Sequence, residues 1–266
     1  MSNGKKNLTK PVALSSGEGR GEAAISVQNL TKRFGSFIAV DNISFEVDNG
    51  EIFGFLGANG AGKTTAMRML CGLSLPTSGQ ATVAGLDLNT SSEKIKQRIG
   101  YMSQKFSLYE DLTVRENIRF YGGIYGLTDQ EIKSRTTSML GNLQMTNEAN
   151  TLVKSLPLGW RQKLSFSVAI LHEPKIVFLD EPTGGVDPVT RREFWTLIYE
   201  AASRGTTVFV TTHYMDEAEY CNRVSIMVDG RIDALGTPKE LKENFNAEGM
   251  GDVFLKLARK AKRGDD

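Results

Sequence analysis

Apolar positions come in two rhythms along this chain, and the switch between them marks its parts. Short apolar or alternating runs at 25–30, 43–47, 52–56 and 80–83 predict strands, with the turn residues Asp48-Asn49-Gly50 between two of them. From 113 to 141 the spacing becomes helical. Val114, Ile118, Tyr121 and Tyr125 recur at three- and four-residue steps, and Ile132, Met139, Leu140 and Leu143 follow. Thr128-Asp129-Gln130-Glu131 reads as a helix N-cap with a glutamate at the third position. Continuous apolar runs at 176–179 and 208–210 then suit strands covered on both faces of a parallel sheet. A helix with proline in its first turn is predicted between them, over 188–203, and strands at 224–228 and 231–234 flank an Asp229-Gly230 hairpin turn.

Between the run at 52–56 and a helical pattern starting at Ala66 lies Gly57-Ala58-Asn59-Gly60-Ala61-Gly62-Lys63-Thr64-Thr65. This is a phosphate-binding loop in its required strand–loop–helix setting. Glycines at 57, 60 and 62 let backbone N–H groups curl toward phosphate oxygens, and the following helix adds partial positive charge. Lys63 neutralises the β- and γ-phosphates, and the Thr64 hydroxyl is placed for Mg²⁺. The motif implies binding of a nucleoside triphosphate.

Bulk properties narrow the picture further. The 266 residues carry a net charge of +1, without the concentrated basic charge that nucleic-acid binding draws on, so no nucleic-acid partner is expected. The two cysteines, Cys71 and Cys221, read as core residues of a reduced protein rather than a disulfide or metal framework. No apolar stretch reaches the roughly 18–20 residues of a membrane span, and residues 1–22 are polar, without the apolar core of a secretion signal; they read as a tail. The expectation is a soluble, cytoplasmic chain.

Further motifs follow the phosphate loop in order. Ile176-Val177-Phe178-Leu179-Asp180-Glu181 is an apolar strand ending in two carboxylates. Asp180 is aimed at the Mg²⁺ shell and Glu181 at an attacking water. Thr211-Thr212-His213 ends the next strand, Gln104 closes Tyr101-Met102-Ser103-Gln104, and Gly185-Val186-Asp187-Pro188 follows the carboxylates.

Over residues 23–238 this constellation resembles the ATP-binding subunit of ABC transporters, most of all the ATPases of ABC-2 type exporters. The resemblance implies an α/β fold: a P-loop NTPase (RecA-like) core, an antiparallel β subdomain and an inserted helical subdomain at about 105–172. It also implies two such domains closing head to tail around two ATP molecules. Such a pair, homodimer or heterodimer, sits peripherally on the inner face of the membrane through a multi-span permease. Carried over, Glu181 is the general base, His213 the γ-phosphate switch, Gln104 the loop glutamine that touches Mg²⁺, and Asp187 a cross-dimer contact. Phe34, in Lys32-Arg33-Phe34-Gly35, stacks on adenine and Val40 flanks the base. His172, in a loop before Pro174, reads as structural. The family pattern leaves two rivals weaker. A soluble ABC-type ATPase acting on chromosomes, repair or translation would need long coiled-coil arms or two tandem nucleotide domains, and a P-loop kinase has no use for Gln104, Asp187 and His213 together.

One segment departs from the family. Where its signature reads Leu-Ser-Gly-Gly-Gln, this chain has Leu156-Pro157-Leu158-Gly159-Trp160. Pro157 supplies neither hydroxyl nor N–H, and Leu158 adds bulk where phosphate approaches. Gly159 is retained, and the helix start is expected to offer donors from Gly159 and Trp160. Beyond residue 238, short helices are predicted at 239–245 and 252–262. In the second, Val253, Phe254, Leu257 and Ala261 form an apolar stripe among Lys256, Arg259, Lys260, Lys262 and Arg263. The stripe suits packing on the domain; attraction of the basic residues to an anionic membrane is the other reading.

Overall fold

The chain's first described elements, β1 (Ile25–Phe34) and β2 (Phe37–Val47), form an antiparallel hairpin, and both run further than strict alternation predicts. Asn29 and Asn42 take positive φ of 51° and 53°, and the pairing register shifts around them. The polar positions that end the sequence pattern are therefore bulges inside continuous strands. The computed structural model describes residues 23–104 and 108–261. The tail at 1–22 and the basic residues Lys262 and Arg263 lie outside the described residues.

β3 (Ile52–Gly57), buried throughout, leads into α1 (Lys63–Leu70), after which β4 (Ser78–Val83) and β5 (Leu86–Asp87) return to the first sheet, in the order β2-β1-β4-β5. α2 (Ser92–Arg98) buries only Ile95, so it leaves almost no periodic signal; β6 (Ile99–Met102) follows it directly. The helical stretch divides into α3 (Val114–Ile124), α4 (Asp129–Asn142) and α5 (Leu158–Ala169). Thr113 with Glu116, and Thr128 with Glu131, close reciprocal capping boxes at the first two. These helices share a core of their own around Ile118, Leu140, Val153 and Leu164.

β7 (Ile176–Asp180), α6 (Pro188–Ser203), β8 (Thr207–Thr212), β9 (Arg223–Val228) and β10 (Arg231–Gly236) complete a six-stranded sheet in the order β10-β9-β3-β8-β7-β6. It is parallel apart from the β9–β10 hairpin, whose turn residues Asp229 and Gly230 both have positive φ, as a two-residue turn of this twist requires. Phe45 of β2 stacks on Phe53 of β3 at 5.5 Å, and Phe55, Phe178 and Phe209 continue the cluster at 5.3–5.4 Å. This aromatic seam joins the antiparallel sheet to the parallel one. Arg223 clamps Glu51 with two bonds of 2.6 and 2.7 Å, tying the start of β9 to the start of β3.

α7 (Pro238–Asn244) and α8 (Met250–Ala261) end the described chain. Val253 and Leu257 are buried in the cluster that contains Val224 and Leu241, and Lys256 donates to the carbonyls of Phe245 and Asn246 just past α7. Cys71 and Cys221 are buried free thiols. Among the described residues no helix is long and apolar enough to cross a membrane.

Candidate functional site

The phosphate loop is held where β3 ends against the hairpins on either side. Gly62 has φ +103°, and a Cβ built there would lie 2.3 Å from the Ala39 carbonyl oxygen. It also occupies the N-cap position of α1 with no side chain to cap it, so the helix's first N–H groups face outward beside exposed Asn59 and Gly60. Ala61 is buried under the loop, and Thr65 is half-buried on the first turn. Lys63 is buried, with its Nζ donating to the carbonyls of Gly57 (2.9 Å) and Ala58 (3.0 Å) and 3.6 Å from Glu181 Oε1. Burial draws its pKa below the usual lysine value, while the charges of Glu181 and Asp180 oppose the shift.

Asp180 ends β7 opposite Thr211 of β8 in the sheet register. Its Oδ1 accepts from Thr211 Oγ1 at 2.6 Å and Thr64 Oγ1 at 3.3 Å. Burial raises its pKa from the ordinary aspartate value, and the bonds from these two hydroxyls oppose the shift. Glu181, the next residue, leaves the strand in a left-handed conformation with φ +48°, and its N–H donates to Thr211 O at 3.1 Å. Its carboxylate is met from three sides: by Lys63, by Gln104 Nε2 donating to Oε2 at 2.9 Å, and by His213 Nδ1 3.1 Å from Oε2. These groups stand at the carboxyl ends of parallel strands, where open α/β sheets bind ligands.

Lys63, Thr64, Gln104, Asp180, Glu181 and His213 are thus brought together; other sequence candidates sit differently. Phe34 is 56% exposed at the tip of the first hairpin, and its cross-strand partner Phe37, given no role from sequence, is 63% exposed. Val40 does not share that surface. It is completely buried in the core on β2, so the expectation that it flanks a base fails for want of any accessible face. Asp187 caps α6, accepting from the N–H groups of Val189 (2.9 Å) and Thr190 (3.1 Å), and the Thr190 hydroxyl bonded to it holds its pKa low. Gly159 allows a close crossing of α5 and α6, since a Cβ there would lie 2.4 Å from Thr190 Cγ2. Trp160 corrects the reading of the signature segment: its N–H is spent on the Pro157 carbonyl at 3.0 Å and is not offered outward. His172 stacks on Tyr125 at 3.7 Å, and burial lowers its pKa to about 4, so it is a neutral structural ring. Thr211 was missed by sequence reasoning. Its only signal was a hydroxyl at the end of an apolar strand, and its importance depends on register with Asp180.

The family profile described as "ABC transporter" matches residues 40–184. That is more than half of the chain. The chain belongs to the ABC transporter family. The probable multidrug ABC transporter ATP-binding protein YbhF of Escherichia coli (strain K12) is 51% identical over 238 residues, covering 90% of this chain and 41% of that protein. The chain therefore spans less than half of that relative's length. The linearmycin resistance ATP-binding protein LnrL of Bacillus subtilis (strain 168) is 36% identical, over 88% of this chain and 74% of its own. Among solved structures, the dimeric post-hydrolysis state of the ATP-binding cassette MJ0796 bound to ADP and Pi aligns with a TM-score of 0.73 and 25% identity, covering 80% of this chain and 98% of that one. The P-loop core, antiparallel sheet and helical insertion are this family's ATP-binding cassette.

The donor set fits a magnesium nucleotide. Among the described residues no cluster of three or more His, Cys, Asp or Glu side chains could hold a metal by itself. Thr64 Oγ1 and Asp180 Oδ1 instead offer hard oxygens 3.3 Å apart, the sparse protein share that Mg²⁺ takes when phosphates supply further ligands.

Proposed function

We propose that this cassette hydrolyses ATP in a closed pair of such domains and drives outward transport by a separate multi-span permease. The observation that carries the reading is the Glu181 carboxylate, held among Lys63, Gln104 and His213 at the mouth of the phosphate loop. In the reaction Glu181 takes a proton from water as its oxygen attacks the γ-phosphorus, and ADP leaves in line. Lys63 and the loop N–H groups of Gly60, Gly62, Thr64 and Thr65 hold the phosphates, while the Ala61 N–H is bonded to the Ala58 carbonyl at 3.2 Å and shapes the loop instead; His213 meets the γ-phosphate, and Phe34 stacks on the base. Thr64 and Asp180, with Gln104 beside them, would hold Mg²⁺, which would neutralise charge on the phosphates.

Tyr109, Phe120 and Ile124 support the permease as partner. They form an exposed apolar patch on the helical unit, with Tyr109 close after Gln104 in the chain and Tyr109 and Phe120 edge to face at 4.9 Å. The names of the two relatives, for multidrug transport and linearmycin resistance, favour a drug over the lipids and glycans that ABC-2 type exporters also move. Through the permease the cassette lies on the inner face of the membrane. Purification from solubilised membranes is expected to bring down a multi-span protein. Salt-sensitive DNA binding with no such partner would instead favour a soluble ATPase acting on chromosomes.

The altered signature weakens the grip on the opposite nucleotide. In this reading Gly159 N–H and the start of α5 face the ATP bound by the second subunit, and Asp187 contacts that subunit while capping α6. Pro157 is the N-cap of α5 with φ −55° and ψ 149°, a geometry that serine adopts readily. A hydrogen bond to a charged group is worth about 1.5–3 kcal/mol, so Pro157→Ser is expected to raise ATP turnover of the assembled transporter by about tenfold or more. An unchanged steady-state rate would show that the missing hydroxyl does not limit closure.

A further inference from the structure

The turn that carries Glu181 is suspended between two supports. On the core side, Thr183 Oγ1 donates to Oε1 of the fully buried Glu217 at 2.5 Å, and the Glu181 N–H is fixed to β8 through Thr211. On the other side stands α5. Gln162 is buried there, and its Nε2 donates to the Gly184 carbonyl at 3.0 Å. The same Gly184 returns its N–H to the Glu181 carbonyl at 3.2 Å. Gln162 Oε1 is buried with no protein partner among the described residues, so the amide's polar tie is to this turn.

α5 itself belongs to two bodies of the fold. Leu164 and Val168 pack into the core of the helical unit, while Phe166 and Ala169 pack into the core beneath the parallel sheet. Two further close approaches bring its first turn to this loop and to α6. Leu158 Cδ2 lies against Gly185, and Gly159 crosses Thr190, whose hydroxyl donates to Asp187 Oδ2 at 2.6 Å. The loop from Glu181 to Asp187 is therefore bonded to the signature helix at Gly184, and the helix that follows the loop crosses the signature helix at Gly159.

We propose that Gln162 is a positioning residue for Glu181, fixing the base-bearing turn to the helix whose N-terminus faces the opposite nucleotide. This rests on Glu181 being the base, as proposed above. Gln162 touches no reacting atom. It acts by holding Gly184, and through Gly184 the backbone of Glu181, so that movement of α5 is felt at the catalytic carboxylate. Gln162→Met keeps the length and the buried stem but removes the donor. It is expected to lower kcat for ATP by about 10- to 100-fold, the scale of a catalytic group displaced by about an ångström, with KM for ATP within twofold of the parent. Gln162→Glu supplies a donor only when protonated, so the ratio of its kcat to the parent's is expected to rise as pH falls from 8 to 6.

The full chain, assembled with its permease, is the sample, and melting temperature controls for folding. A folded Gln162→Met protein with parental kcat overturns the proposal. If that variant does not fold, a flat Gln162→Glu ratio across the same pH range overturns it. A parent that does not hydrolyse ATP, or whose rate survives Glu181→Gln, would instead overturn the assignment of Glu181 as base.

Discussion

Glu181→Gln is expected to reduce ATP turnover by about a thousandfold while leaving nucleotide binding in place. The backbone at 181 is set independently of the side chain, by φ +48° and by bonds from its N–H to the carbonyl and hydroxyl of Thr211. An amide of the same shape therefore occupies the same place, and its oxygen can still accept from Gln104. It can no longer take a proton from water, and positioned general bases contribute about 10²–10⁴ in rate. Lys63 loses its 3.6 Å ion pair but keeps the two carbonyls that hold its Nζ, so it remains available to phosphate. Single-turnover hydrolysis and equilibrium ATP binding separate the two effects. Turnover equal to the parent's would remove Glu181 from the mechanism.

The phosphate loop was legible in the sequence because its composition is its mechanism: each glycine and the lysine are needed for reasons internal to the segment. The carboxylate pair was legible for a similar reason, since an apolar strand ending in Asp180-Glu181 places charge at a sheet edge with little structural excuse. What holds those carboxylates was not legible. Thr211 meets Asp180 only through the register of β7 and β8, and Gln162 meets Gly184 only because α5 crosses the loop. Val40 was misjudged because it belongs to a strand whose bulge at Asn42 hides which positions face inward. Trp160 was misjudged because the first turn of α5 closes onto the Pro157 carbonyl from both Trp160 and Arg161, which consumes a donor that spacing alone leaves free. Local chemistry could be read from the chain; contacts decided by sheet register and helix crossing could not.

Gly62→Ala is the substitution expected to damage the site most without touching a charged group. A φ of +103° lies outside what an alanine adopts without strain, and the added Cβ would stand 2.3 Å from the Ala39 carbonyl oxygen and 2.9 Å from Met227 Cε. The methionine tip can swing away, but the carbonyl belongs to β2, and the surrounding backbone has little slack. Gly230 donates to Ala61 O at 3.1 Å, and Asp41 donates to Gly230 O at 2.8 Å, so loop, β9–β10 turn and β2 are bonded in series. Strain and overpacking together cost about 3 kcal/mol. The loop can relieve them only by turning its N–H groups away from the phosphates, so ATP affinity is expected to fall by about 100-fold or more. Gly60→Ala is the control: φ is +85° there too, but a Cβ would meet nothing within 4 Å, leaving backbone strain of about 1 kcal/mol. Urea unfolding and ATP titration of the two variants give the comparison. Equal stability and affinity for both would mean that the contact with Ala39 does not shape the phosphate loop.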